Sequence, residues 1–276
     1  MKKDKLRYII SKKTKGDSKL SGQLYQMFFF ERILERISKS KYRSNIILKG
    51  GLLLSSVIGE DERTTKDMDT TLKSITLEKQ NIYNIFREIL SINLNDDVIF
   101  KIVDIKDIRR EDEYGGFKIN IMALMDNLKV YMAVEITTGD KITPREIQYN
   151  YNSIFEDKKI PILAYTNETI IAEKYQTVII RGVLNTRMKD FYDIYILISK
   201  NKDKINVENL QNAIKNTFEY RNTKIDIVEI KEIIEDISKD ENMKRQWQNY
   251  QSNAGYAKGI LFEQLFEPLY YITSIL

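Results

Sequence analysis

Asp67-Met68-Asp69 stands in an alternating stretch, DMDTTL. In an extended chain, residues i and i+2 point to one face, roughly 6.5 Å apart. Two carboxylates held that close repel each other unless they share a divalent cation or face solvent, and an isolated Asp-x-Asp fits a solvated strand end as well. A third acid sharpens the pattern. In LKVYMAVEITTGD, Ala133, Glu135 and Thr137 share one face while Met132, Val134 and Ile136 form an apolar opposite face. Glu135 is thus an acid inside a hydrophobic strand, where a lone carboxylate is costly without a cation or a metal. Lys129 and Thr137 would also fit a plain solvent face. Gly50-Gly51 closes a short apolar strand, NIILK, ahead of the helical segment LLLSSVIG. Such a turn lets backbone N–H groups and a helix N-terminus approach an anion closely, although a Gly-Gly pair alone is an ordinary turn. Three acids on adjacent strands beside a phosphate-cradling turn are what two-metal phosphoryl or nucleotidyl transfer needs. One Mg²⁺ orients the triphosphate and the other lowers the pKa of an attacking hydroxyl.

Composition narrows the chemistry further. The 276 residues contain no cysteine and no histidine. Disulfides, thiolate zinc sites, thiol nucleophiles and imidazole acids or bases are therefore excluded. Carboxylates, lysines, arginines, hydroxyls and backbone amides remain. With 42% hydrophobic and 30% charged residues the chain is a globular polymer with material for a real core. No run approaches the eighteen apolar residues of a membrane span, and the basic start has too short an apolar patch for a secretory signal. A cytoplasmic protein with no membrane partner is expected. The net charge is only +4, but residues 1–20 carry eight cations against two anions. A basic arm of this kind, with Lys12 and Lys13, can track an RNA backbone or can be a solubilising terminus.

The elements that must position these residues fall into two parts. LSGQLYQMFFFERILERISKS has helical spacing, EDERTTK reads as a loop and LEKQNIYNIFREILSIN as an amphipathic helix. Over 98–137 the pattern turns to strands, VIFKIVDI, GFKINIMAL and LKVYMAVEITT, the last two joined by a hairpin turn at MDN. From residue 167 onward helices are expected at 168–181, 188–200, 207–219, 225–238 and 257–275. The organisation expected is an α/β core with a mixed sheet over 1–166 and an all-α half over 167–276, with an active site in the cleft between them. In 168–181, Lys174 and Arg181 lie two turns apart along one edge of the stripe Ile171, Tyr175, Val178 and Ile179. Asp190 and Asp193 share a helix face, and Lys189–Asp193 also fits a plain i,i+4 pair. Tyr149, Tyr151 and Phe155 can stack bases or pack the edge of a core.

Taken in order, Leu48-Lys49-Gly50-Gly51, Arg63-x-Thr65-x-Asp67-x-Asp69, Glu135 with Gly139-Asp140-x-Ile142-Thr143-Pro144, Ala172-Glu173-Lys174 and Arg187-x-Lys189-Asp190-Phe191-x-Asp193 resemble the AbiEii/AbiGii-type toxin nucleotidyltransferases of the DNA polymerase β-like superfamily. The likeness spans about residues 45–200. It implies an NTP-dependent, pyrophosphate-releasing nucleotidyltransferase of a bacterial toxin–antitoxin or phage-defence system. The implied co-substrate is an NTP and the implied cofactor Mg²⁺, two ions by the pattern. A tRNA or other RNA would be the acceptor, and a cognate antitoxin the partner.

By the same likeness, Asp67, Asp69 and Glu135 would hold metal, Glu135 doubling as a base. Lys49, Gly50, Gly51, Arg63, Thr65, Lys174 and Arg181 would meet the nucleotide. Asp190 or Asp193 would order the site, and Arg187 and Lys189 could meet acceptor RNA. Three positions depart from the family pattern: Leu52 replaces a small hydroxyl residue after the glycines, Thr70 an apolar residue, and Glu135 an Asp. Leu52 removes one phosphate hydrogen bond, and whether Ser55 or Ser56 replaces it is left open by the sequence. A protein or small-molecule acceptor, a kinase-like transfer, and a catalytically silent module binding RNA or antitoxin remain the alternatives.

Overall fold

A computed structural model describes residues 1–59, 63, 65–108 and 115–276; within the loop expected at 60–66, residues 60–62 and 64 lie outside it. The chain divides into two units. The first comprises Met1–Glu60, Thr64–Asp140 and Ile147–Ala164, the second Asp61–Arg63, Lys141–Glu146 and Tyr165–Leu276.

The first unit is built on a seven-stranded mixed sheet. Its strands are β1 (Ile46–Lys49), β2 (Asp67–Leu72), β3 (Val98–Ile108), β4 (Gly116–Met125), β5 (Leu128–Thr138), β6 (Ile147–Asn152) and β7 (Lys159–Ala164), in the order β3-β4-β5-β2-β1-β7-β6. β2 and β5 run parallel, as do β1 and β7; the other neighbours are antiparallel. β6 and β7 are not apparent from the sequence pattern. IQYNYN alternates, but its apolar positions are mostly tyrosines and the run is short, while KIPILA carries a proline and does not alternate. Tyr151 and Phe155 are buried and Tyr149 is bonded to Ser56 (2.9 Å), which assigns that aromatic cluster to packing.

Strand alternation separates the two faces. Met68, Val134, Ile136, Ile119 and Ile121 are fully buried, whereas Asp67, Glu135 and Lys118 occupy the opposite alternation and stay partly exposed. Helix α2 (Ser18–Lys39) packs on β5 and β7, and α4 (Lys79–Leu90) on β3. Met27, Phe28, Phe29, Phe30 and Ile33 of α2 are all 0% exposed, so this helix is apolar nearly all round over that stretch and sits deep in the unit. Arg36 ties it down with a two-pronged bond to Asp96, both arms 2.9 Å.

The basic arm expected at 1–20 is not a loose tail. Residues Lys3–Thr14 form α1, and Asp17 caps the start of α2 through the Leu20 N–H. Leu6 and Ile10 are buried. Lys3 Nζ lies 2.6 Å from both Asp126 Oδ2 and Asn127 Oδ1 in the β4–β5 turn. The apolar i, i+4 pair is what sorts this segment into a helix despite its charge.

The second unit is helical: α5 (Asn167–Arg181), α6 (Met188–Asn201), α7 (Val207–Tyr220), α8 (Ile227–Lys239), α9 (Glu241–Asn253) and α10 (Phe266–Ser274). The continuous helix expected at 257–275 is broken. Two short 3₁₀ turns, Gly255–Ala257 and Phe262–Leu265, precede α10, with Gly259 at φ 89° between them. Pro268 falls in the first turn of α10, where no intrahelical donor is lost. Helix α9 escapes the hydrophobic pattern because Met243 and Trp247 are its only buried residues. Among the described residues no helix is long and apolar enough to cross a membrane.

Candidate active site

Helix α3 (Gly50–Ile58) follows β1 directly, so the Gly50-Gly51 turn sits where β1 passes into its N-terminus. Register places the turn against the acids. Lys49 pairs with Asp69 across β1 and β2, and Asp69 pairs with Glu135 across β2 and β5. Neighbouring strands lie about 4.8 Å apart and residues i, i+2 share a face, so Asp67, Asp69 and Glu135 project from one side of two adjacent strands. Gly50 holds φ +67°, and a Cβ built there would come 2.0 Å from Asp69 Oδ2 and 2.8 Å from Asp69 Cβ. The seat of the Asp69 carboxylate is therefore the space that the missing side chain of Gly50 leaves open. This is one position in the chain where glycine is required by a neighbouring functional group.

β4 adds a residue that the motifs do not disclose. Lys118 pairs with Glu135 in register, and its Nζ lies 3.0 Å from Glu135 Oε1 and 3.5 Å from Asp67 Oδ1. The hydrogen bond to Glu135 and the two carboxylate charges outweigh burial and raise its pKa, so it is an ammonium ion. As the side chains stand, no three acids among the described residues converge closely enough to hold one ion. A cation is nevertheless already drawn between two of the three expected ligands, and all three offer hard carboxylate oxygens on one face. The donor set fits a divalent ion.

Two of the three departures from the family pattern, Leu52 and Thr70, have local explanations. Leu52 is fully buried, and Ser55 Oγ donates to the Leu52 carbonyl (2.9 Å). Ser56 is engaged with Tyr149, so neither serine stands in for the missing hydroxyl. Thr70 Oγ1 donates to the Glu135 carbonyl (3.0 Å) and fastens β2 to β5 beside the Asp69–Glu135 pair. Lys49 is buried with its Nζ 2.5 Å from Asp140 Oδ2, which also accepts from Thr137 Oγ1 (2.9 Å). As placed, Lys49 anchors the end of β1 rather than offering its charge outward. Thr65 Oγ1 donates to the Asp67 carbonyl (3.0 Å), shaping the entry to β2.

In the second unit the remaining expected residues form one alternating chain of charge. Arg63 Nε is 2.8 Å from Asp193 Oδ1, Lys174 Nζ is 2.7 Å from Asp193 Oδ2 and 2.8 Å from Asp190 Oδ1, and Arg187 Nε is 2.7 Å from Asp190 Oδ2. Asp190 and Asp193 are almost completely buried. Burial alone would raise the Asp190 pKa, but the charges of Lys174 and Arg187 prevail and hold it well below the usual range. Burial would likewise lower that of Lys174, and Asp193 and Asp190 push it up instead. Asp190 is thus held as a carboxylate, and each of the two acids meets two cations, a positioning arrangement rather than that of a free base. An ammonium has three N–H donors, and Lys174 directs two of them at these acids. Arg63 is buried in its bond to Asp193, whereas Arg181 and Lys189 are exposed. Around this chain, Thr143 is fixed within the same unit by Thr166, Thr169 and Asn216. Lys12 and Lys13 lie on the exposed side of α1 in the first unit.

The profile of the family described as nucleotidyl transferase AbiEii toxin, type IV TA system, matches residues 32–267. No curated protein matches the sequence. Two solved structures from Helicobacter pylori share the fold. One is a candidate nucleotidyltransferase, with a TM-score of 0.52 and 12% identity over 91% of this chain and 93% of that one. The other is JHP933, with a TM-score of 0.50 and 14% identity over 91% and 90%.

Proposed function

Because the chain belongs to the AbiEii family of nucleotidyl transferase toxins, and is by that membership a nucleotidyltransferase of a toxin–antitoxin system with a cognate antitoxin, we propose that it moves a nucleoside monophosphate from an NTP to a hydroxyl of RNA, the 3′ end of tRNA in particular. The reaction would run in the bacterial cytoplasm and serve abortive infection, a defence against phage. The observation that carries this reading is the row Asp67, Asp69 and Glu135 on one face of β2 and β5, with the Gly50 turn opening onto Asp69.

In that reaction the hydroxyl oxygen attacks the α-phosphorus, the α–β bridging P–O bond breaks, and pyrophosphate leaves with the bonding pair. Glu135 would accept the hydroxyl proton and pass it to water. Gly50, Gly51 and the N-terminus of α3 would receive phosphate oxygens. Mg²⁺ held by Asp67, Asp69 and Glu135 would neutralise the triphosphate and lower the pKa of the attacking hydroxyl.

Lys118 bears on metal binding because it already neutralises Asp67 and Glu135. Lys118→Met should therefore tighten the binding of Mn²⁺, measured by titration calorimetry, by about tenfold, an estimate for one cation removed from beside two ligands. Weaker binding in the variant would mean that Lys118 organises the acids rather than competing for them. The acceptor itself is tested by incubating the enzyme with α-³²P-labelled NTPs and either total RNA or total protein. Label on RNA is expected; label on protein alone would replace the RNA acceptor with a protein hydroxyl.

A further inference from the structure

Beside Asp67 lies a depression of about 440 Å³, lined by Asp67, Asp104, Asn120, Tyr131 and Ala133 and, from the apolar alternation and α2, by Met132 and Gln26. Every one of these residues belongs to the first unit. Ala133 pairs with Asp67 in register and leaves a low floor beside the acid, Asn120 pairs with Ala133, and Asn120 Nδ2 donates to Asp104 Oδ1 on the next strand. Tyr131 belongs to the same alternation as Ala133 and Glu135, yet it is 66% exposed. Packing does not account for an aromatic ring so exposed at the rim of this depression.

Strand order says which substrate this depression takes. The Gly50 turn lies on the β1 side of Asp69, and the depression lies on the β5-β4-β3 side of the same acids. In-line transfer puts the attacking oxygen and the departing pyrophosphate on opposite sides of the phosphorus. If the turn takes phosphates, the depression is the acceptor's side.

We infer that a single-stranded nucleic-acid end lies along β5 over this depression, its terminal hydroxyl at Glu135 and a base one or two nucleotides back stacked on Tyr131. This rests on the RNA-acceptor reading above. Tyr131 lies four residues from Glu135, roughly 13 Å along the strand. Continuing the same line come exposed Lys129 and then the Asp126-Asn127 turn, where Lys3 docks α1. Helix α1 carries exposed Lys5, Arg7 and Lys12, and exposed Lys2 precedes it, cations suited to the phosphates of the following nucleotides. Aromatic stacking of this kind takes any base, since every base has a π-face.

Steady-state transfer to total tRNA tests the placement. Tyr131→Ala should raise KM for tRNA by about tenfold, in keeping with the loss of one base stack. Its kcat and its KM for NTP should stay within about twofold, and Tyr131→Phe should restore KM for tRNA. A Tyr131→Ala enzyme with unchanged KM for tRNA would overturn the placement while leaving the reaction standing. A rise in KM for NTP instead would move the depression to the donor. If the unaltered enzyme labels no RNA at all, the acceptor reading fails and this placement with it.

Discussion

Gly50→Ala is expected to slow nucleotidyl transfer by about 10²-fold or more while leaving the protein folded. The added Cβ would stand 2.0 Å from Asp69 Oδ2, 2.7 Å from its Cγ and 2.8 Å from its Cβ. Because the contact reaches Asp69 Cβ, rotating the carboxylate away does not relieve it, and β2 or the turn must shift as well. A displacement of that order at a reacting centre removes the alignment that in-line attack needs. The left-handed φ of +67° adds about 1–2 kcal/mol of instability for any L side chain. Gly22→Ala is the natural control: a Cβ there meets nothing within 4 Å, it lies inside α2, and its effect should be neutral or mildly stabilising. Pyrophosphate release by the two variants, set beside their melting temperatures, separates a lost site from a lost fold. A fully active Gly50→Ala enzyme would mean that Asp69 need not sit against the turn.

The second large effect is one of stability. Lys174→Met should lower the melting temperature at neutral pH by about 10 °C, corresponding to about 3–5 kcal/mol for removing one partner from a buried charge set. Methionine replaces most of the volume, so the loss measures charge rather than a cavity. Two buried carboxylates would then rely on Arg63 and on Arg187, the latter 44% exposed. The sign of the pH dependence follows from Asp190. Its pKa in the folded protein lies below the unfolded value, so its contribution is complete above about pH 4 and fades as the pH falls through the folded value. Taking away Lys174 lets the pKa of Asp190 rise, and the variant recovers by protonating it in acid. The gap in melting temperature between the two proteins should therefore be widest near neutrality and narrow below about pH 4. A gap that widens in acid would contradict the charge assignment.

The acids were legible in the sequence because a strand has a period of two. DMDTTL and MAVEITT each show which residues share a face, and the structure keeps both alternations. What alternation cannot supply is which strands are neighbours. β2 reaches β5 only after α4, β3 and β4 intervene, so the Asp69–Glu135 pairing that makes the row continuous is a property of topology.

Lys118 was within reach. Counting outward from the Met125–Leu128 pair that closes the two-residue turn, seven steps land Lys118 on Glu135. That count needs the hairpin and its two-residue turn; the three-residue turn read at MDN would have set Lys118 opposite Val134. The charge chain of the second unit was half visible. Asp190 and Asp193 share a helix face, but nothing in the spacing brings Lys174 from one helix and Arg63 from a distant segment onto them. The same limit explains α1: its charge suggested an arm, while two buried residues, Leu6 and Ile10, suffice to dock it.

The most direct test of the account is pyrophosphate release, measured with NTPs, Mg²⁺ and total tRNA for the unaltered enzyme and for Asp67→Asn, Asp69→Asn and Glu135→Gln. Each substitution keeps the shape of the side chain and removes one negative charge from the row. The account predicts release by the unaltered enzyme and its loss in all three variants, with melting temperatures unchanged or raised as like-charge repulsion is relieved. Release at an unaltered rate from any one of the three would remove that residue from the chemistry, and unaltered release from all three would place the active site elsewhere in the molecule.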